Sequence, residues 1–187
     1  MLLLWRPYFE SMKPSKNETP GIYLVGFMGS GKSTIGRKLA VSLGWRFADL
    51  DDDIETYSGK TIPQVFDQDG EAEFRRIESD MLARRIAEVK AGNSLVLSLG
   101  GGAFVQPRNR EALSAAGLSV WLDVPFETVQ RRVAEFAHRP LARDPLKFRE
   151  LFLTRRAAYA EADAHIAITS DNPQPAIDAI LALEFFR

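Results

Sequence analysis

The residues Gly26-Phe27-Met28-Gly29-Ser30-Gly31-Lys32-Ser33 fit the pattern G-x-x-x-x-G-K-[ST] at every fixed position. The chemistry of that spacing is phosphate binding. Glycines let consecutive backbone N–H groups turn inward around an anion without Cβ clashes. A helix starting near Lys32 adds the positive end of its dipole. The backbone of Gly29, Ser30 and Gly31 is expected to cradle the phosphates of a nucleotide. Lys32 can neutralise β- and γ-phosphate oxygens, and the Ser33 hydroxyl can bind Mg²⁺. Thr34 is expected to help hold the α-phosphate. A short apolar run before the motif and helical spacing after it supply the strand–loop–helix context that the motif requires.

A phosphate cradle does not select an acceptor, so the other reactive side chains matter more for specificity. Phe47-Ala48-Asp49-Leu50-Asp51 reads as the end of a second strand. The spacing D-x-D would put both carboxylates on one face of that strand. One could hold the water shell of Mg²⁺, and the other could take a hydroxyl proton. Asp52 and Asp53 follow directly, so spacing alone leaves the register among four aspartates open. Arg75 and Glu78 stand three apart on one helix face, and a planar guanidinium suits a carboxylate ligand. Gly100-Gly101-Gly102 follows a buried strand and permits close approach of a ligand to backbone.

The elements that must position these groups alternate. Strands are expected at Ile22 to Val25, Trp45 to Leu50, Leu95 to Leu99, Leu118 to Val124 and His165 to Ile168. Helices are expected at Lys32 to Leu43, Glu71 to Val89, Phe126 to Phe136 and Pro175 to Phe185. The acidic run Asp51 to Asp53 suits a helix first turn. This alternation predicts an α/β fold with a parallel sheet covered by helices on both faces. Between Phe136 and Leu146 the periodicity breaks and the residues turn basic, which predicts a mobile loop.

With 187 residues, 45% of them apolar, the chain is expected to form one domain with a real core. The polar stretch up to Pro20 reads as a flexible arm, leaving residues 21–187 as that domain. A net charge of −1 provides no overall basic field for nucleic acid or an anionic membrane. The absence of cysteine excludes disulfides, thiolate metal sites and cysteine nucleophiles, and points to the cytoplasm. No apolar run approaches a membrane span. His138 and His165 are far apart and lack ligand partners at metal spacing. Asp67-Gln68-Asp69-Gly70 matches the D-x-x-G of switch GTPases, but no N-K-x-D guanine reader accompanies it. Trp45 and Trp121 read as core residues. Arg84, Arg85, Arg108, Arg110 and Arg131 read mostly as solvated helix faces.

Taken in order, these segments resemble the shikimate kinases. That family combines a P-loop with F-x-D-x-D-x-x-I-E, F-R-x-x-E, G-G-G, an R-P-L lid and a late R-x-x-x-Y. Here they stand as Phe47 to Glu55, Phe74 to Glu78, Gly100 to Gly102, Arg139-Pro140-Leu141, and Arg155 to Tyr159. The resemblance spans about Gly21 to Leu183. It implies a P-loop kinase with a five-stranded sheet and a lid at about residues 136–146. The implied reaction moves a phosphoryl group from ATP, with Mg²⁺, to the 3-hydroxyl of shikimate. It assigns Asp49 to the metal side and Asp51 to the shikimate hydroxyl. Arg75 and Arg155 would clamp the shikimate carboxylate, with Gly100, Gly101 and Gly102 against the ring. Phe66 and Phe74 would wall the pocket, and Glu78 would orient Arg75. Arg139 would swing in on the lid toward the transferring phosphate. Arg132 would lie against adenine, and Ser170 to Pro173, with Pro173, resembles the adenine loop. The family also implies a monomer. The late motif departs from R-x-P-L-Y: it reads Arg155-Arg156-Ala157-Ala158-Tyr159, so Arg156 competes with Arg155 for the carboxylate, and the spacing to Tyr159 favours Arg155.

Overall fold

The computed structural model describes residues 21–134 and 144–186. The first strand, β1 (Gly21–Val25), is buried at all five positions. Successive strand side chains point to opposite faces, so β1 must be covered on both. It is the centre of a five-stranded sheet in the order β2-β3-β1-β4-β5. The other strands are β2 (Arg46–Asp49), β3 (Leu95–Ser98), β4 (Gly117–Asp123) and β5 (Ala164–Ala167). Every neighbouring pair is parallel. Each crossover therefore needs a long connection, and helices supply it.

Helix α1 (Lys32–Leu43) packs against β1, β2 and β3, and α8 (Gln174–Leu181) packs against β5 and α1. Gly36 permits the close fit of α1: a Cβ there would stand 2.6 Å from the Phe47 ring. Helices α2 (Leu50–Ser58), α3 (Ile62–Gln68) and α4 (Gly70–Lys90) form one connected group, and α5 (Pro107–Ser114) joins α4 to β4. Helices α6 (Phe126–Ala134) and α7 (Pro145–Tyr159) flank residues 135–143.

All five expected strands and the four expected helical segments exist, with ends shifted by a few residues. The end of Phe126 to Phe136 lies outside the described residues. Three helices escaped the pattern: α3, α5 and α7. Helix α3 is seven residues long and is set by a capping box, Thr61 with Gln64, and by Pro63 in its first turn. Its N-terminal amide at Ile62 also donates to Glu55 Oε1 at 2.9 Å. Helix α5 begins with Pro107, and α7 has Asp144 as N-cap and Pro145 at its start. The signals were local caps rather than apolar periodicity.

One expectation about backbone is corrected. Asp49 and Asp51 do not share a strand face. The strand ends at Asp49, whose Oδ1 accepts from the Asp51 N–H at 3.1 Å and so caps α2. Asp51 belongs to the first turn of that helix. A side-chain cap competes with continued strand pairing, and it turns the chain here.

Candidate active site

The loop after β1 runs along the carboxyl edge of the sheet, where parallel α/β proteins bind ligands. Gly26, Gly29 and Gly31 have φ of 148°, 77° and 92°, values that a side chain would oppose. No side chain caps the start of α1, so its first N–H groups point at whatever the loop encloses. Lys32 Nζ reaches back over the loop and donates to the carbonyls of Gly26 and Phe27 at 2.9 and 3.0 Å. Ser30 is buried within it. Thr34 lies on an exposed position of α1.

Ser33 and Asp49 meet directly. Ser33 Oγ donates to Asp49 Oδ2 at 2.6 Å. Ser98 Oγ lies 3.5 Å from the same hydroxyl. Ser98 is the last residue of β3, at the register position facing both Leu24 and Asp49. Sequence reasoning missed it, although a polar residue closing the apolar run Leu95-Val96-Leu97 was a usable signal. These are hard oxygen donors. Among the described residues no group of three His, Cys, Asp or Glu could hold a metal by itself.

At the far side of the loop, Arg132 Nη1 donates to the Gly29 carbonyl at 3.0 Å. Its Nη2 donates to Asp171 at 2.8 Å, and Arg131 reaches the same carboxylate at 3.0 Å. The Arg132 contact, then that of Arg131, holds the Asp171 carboxyl below its usual range. The segment 170–173, ending in Pro173 at the cap of α8, is thus tied to the P-loop through Arg132. Arg131 lies on a solvated helix face, as expected, and pairs there with Asp171.

The glycine turn after β3 collects the remaining groups. A Cβ on Gly100 would stand 2.5 Å from Asp51 Oδ1 and 3.5 Å from Glu78 Oε1. One on Gly101 would stand 3.1 Å from Arg155 Nη1 and 3.8 Å from the Gly26 carbonyl of the P-loop. One on Gly102 would collide with the Arg75 guanidinium, 2.9 Å from Nη2. Asp51, Glu78, Arg75 and Arg155 therefore surround one three-residue turn, and that turn lies beside the phosphate loop. Arg139 and residues 136–143 of the expected lid, like the N-terminal arm, lie outside the described residues. The last three residues of that lid, 144–146, are not loop but the capped first turn of α7, where the Asp144 side chain accepts from the Leu146 N–H.

Glu78 is 1% exposed and accepts from Arg75 Nη1 at 2.8 Å. Burial pushes its carboxyl above the usual range, and the Arg75 charge opposes that shift. Arg75 Nε is buried without a hydrogen-bond partner among the described residues. Phe66 and Phe74 pack at 4.4 Å between ring centroids with a tilt of 31°, and Arg75 lies 5.1 Å from the Phe74 centroid. A hydrophobic wall and a cationic group with spare donors thus stand together.

Helix α7 places Arg155 and Tyr159 one turn apart. The Tyr159 hydroxyl donates to the Gly101 carbonyl at 2.5 Å and fixes the glycine turn. Burial pushes this phenol up to about 12. Arg156, the rival of Arg155, points elsewhere: it donates to Asp123 Oδ2 at 2.6 Å and lies 5.1 Å from the Trp121 ring. Trp121 is a core residue, as expected, at 7% exposure. Trp45 packs against that core. Two arginines were misread as solvated. Arg85 is bidentate to Asp53 at 2.6 and 2.7 Å, tying α2 to α4. Arg110 donates to the carbonyls of Phe104 and Val105.

A strand, a glycine-rich phosphate loop and a helix start beside a cluster of two arginines and two carboxylates define a P-loop kinase of the α/β class. Comparison with known proteins narrows the class. The family model described as shikimate kinase matches residues 28–184. A shikimate kinase of Persephonella marina is 42% identical over 161 residues, covering 86% of this chain and 96% of its own. The structure of shikimate kinase from Acinetobacter baumannii in complex with shikimate superposes with a TM-score of 0.80 at 37% identity. It covers 91% of this chain and 95% of that one. Shikimate kinase from Bacteroides thetaiotaomicron gives 0.77 at 29% identity, over 87% and 96%. The chain belongs to the shikimate kinase family.

Proposed function

We propose that this protein transfers the γ-phosphoryl group of ATP to the 3-hydroxyl of shikimate, giving shikimate 3-phosphate and ADP. The observation that carries the reading is the meeting of Asp51, Arg75 and Arg155 around Gly100–Gly102, with Gly101 facing the P-loop carbonyl of Gly26. A small anionic hydroxy acid fits that arrangement. Arg75 and Arg155 pair with its carboxylate, and Phe66, Phe74 and the glycine turn bound its ring. Arg155 takes this role rather than Arg156, because Asp123 already engages Arg156. The buried Glu78 carboxylate orients Arg75 through their 2.8 Å ion pair.

The P-loop amides of Gly29, Ser30 and Gly31, with Lys32, bind the triphosphate, and Thr34 follows at the α-phosphate. Arg132 and Pro173 border the adenine side. The acceptor oxygen forms a bond to γ-phosphorus while the bond from γ-phosphorus to the bridging oxygen of ADP breaks. ADP leaves with that electron pair, and the hydroxyl proton passes to Asp51. Arg139, from the lid, neutralises charge on the transferred group. Ser33 and Asp49 suit Mg²⁺, a hard cation that takes few protein oxygens and keeps waters and phosphate oxygens as its other ligands. When bound, the ion supplies charge neutralisation at the phosphates. The reaction is placed in the cytoplasm, in a monomer whose residues 21–187 form one kinase domain, with neither nucleic acid nor membrane as partner. Among the described residues no helix is long and apolar enough to cross a membrane.

The test is shikimate-dependent ADP release measured against a panel of hydroxy acids that includes gluconate. Shikimate is expected to be the preferred acceptor, and Asp51→Asn is expected to abolish turnover while ATP still binds. Preference for another hydroxy acid, or near-normal turnover by Asp51→Asn, would refute the assignment.

A further inference from the structure

Helix α7 lies across the carboxyl ends of three adjacent strands, and its contacts differ from one side to the other. Beneath its middle is Phe27 of the P-loop, held edge-on by Phe148 and Phe152 with centroids 5.3 Å away in both cases. On the β3 side, Arg155 and Tyr159 face Gly101. On the β4 side, Arg156 donates to Asp123, the last residue of β4. Residues along a helix are about 100° apart. Phe148, Phe152 and Tyr159 therefore form one stripe, with Arg155 on one flank and Arg156 on the other. Phe148 and Phe152 also pack on Phe126 of α6, at 5.9 and 5.2 Å, and aromatic packing along one stripe restrains the depth of a helix better than its rotation about its own axis. Rotation is what would swing Arg155 off the glycine turn.

We propose that Asp123 is a positioning residue for the acceptor-binding arginine Arg155, acting through Arg156 to fix the rotation of α7. The site is built for holding. Asp123 is only 12% exposed, and the same oxygen that accepts from Arg156 lies 3.0 Å from His165 Nε2. His165 is stacked on Trp121 at 4.5 Å and 15°, and Arg156 lies over the same indole. Asp123 is thus anchored from β5 and holds Arg156 from β4. Charge-assisted pairs of this kind are short and directional, which suits a rotational stop.

The inference rests on the shikimate reading of the acceptor site, and the two fail separately. If the wild-type protein does not phosphorylate shikimate, the function is wrong whatever the variants do. If it does, steady-state kinetics of Asp123→Asn and Arg156→Gln decide the inference. The KM for shikimate is expected to rise about three- to tenfold in each, with kcat and the KM for ATP within about twofold. In an Arg155→Ala background, Asp123→Asn is expected to have no further effect on the shikimate KM, because the group being positioned is gone. A general loss of packing would act equally in both backgrounds. Arg156→Gln keeps the test valid if Asp123→Asn unfolds, since Arg156 is 41% exposed. An unchanged shikimate KM in the folded variants, or a full Asp123→Asn effect without Arg155, overturns the inference.

Discussion

Adding one methyl group at Gly100 is a sharp test of the site. The new Cβ would stand 2.5 Å from Asp51 Oδ1, whereas ordinary contact begins at about 3.4 Å. The carboxylate must therefore retreat by about 0.9 Å, or the turn must. The turn is confined: Ala103 N–H bonds the Gly100 carbonyl, and Tyr159 holds the Gly101 carbonyl. Asp51 is the freer partner, but its backbone is pinned by the Asp49 cap. Gly100 is not among the glycines with positive φ, so alanine brings no backbone strain of its own. A displacement near 1 Å of a catalytic group costs on the order of 10²-fold in rate. Gly100→Ala is thus expected to lower kcat about a hundredfold, with the KM for ATP nearly unchanged. Coupled ADP detection over a range of both substrates measures this, and thermal unfolding shows whether the variant is folded. A folded Gly100→Ala protein with kcat within about twofold of the parent would refute the placement of Asp51 at the reacting hydroxyl.

Arg75→Ala removes the carboxylate partner and strands the buried Glu78. Removing one partner of a buried charge pair costs about 2–5 kcal/mol, so the shikimate KM should rise at least thirtyfold in initial-rate assays, with ATP binding retained. At alkaline pH, the buried phenols of Tyr159 and Tyr23 lose protons less readily in the folded than in the unfolded state. Their raised values mean that their stabilising contribution is complete below about pH 10, the unfolded value, and is lost as pH rises toward and beyond about 12. Chemical denaturation from pH 9 upward should show stability falling, and Tyr159→Phe should reduce the slope by up to about 1.4 kcal/mol per pH unit.

Much of the molecule could be read before any coordinates. Strands β1, β3 and β4 were legible because a buried parallel strand is a short apolar run bounded by turn residues, a purely local pattern. The phosphate loop was legible for the same reason, since its function lies in consecutive backbone amides. The ordered set of short motifs carried the family. Helices α3, α5 and α7 were not legible, because their identity lay in caps and prolines rather than in period. The partners of Arg85, Arg110 and Arg131 were hidden too, since a charged helix residue looks solvated until its neighbour across the fold is known.

The sequence by itself determined the nucleotide cradle, the α/β alternation and the residue types available for an acceptor. Only the tertiary structure decided that the strand ends at Asp49, that Asp123 engages Arg156 and leaves Arg155 to Gly101, and that Ser98 joins Ser33 and Asp49. The physical reason is distance along the chain. Residues near positions 26, 51, 75, 101 and 155 become neighbours only because parallel strands carry every loop to the same edge of one sheet. Which flank of α7 meets which strand end is set by packing on Phe27 and by ion pairing to Asp123, neither of which leaves a mark in local spacing.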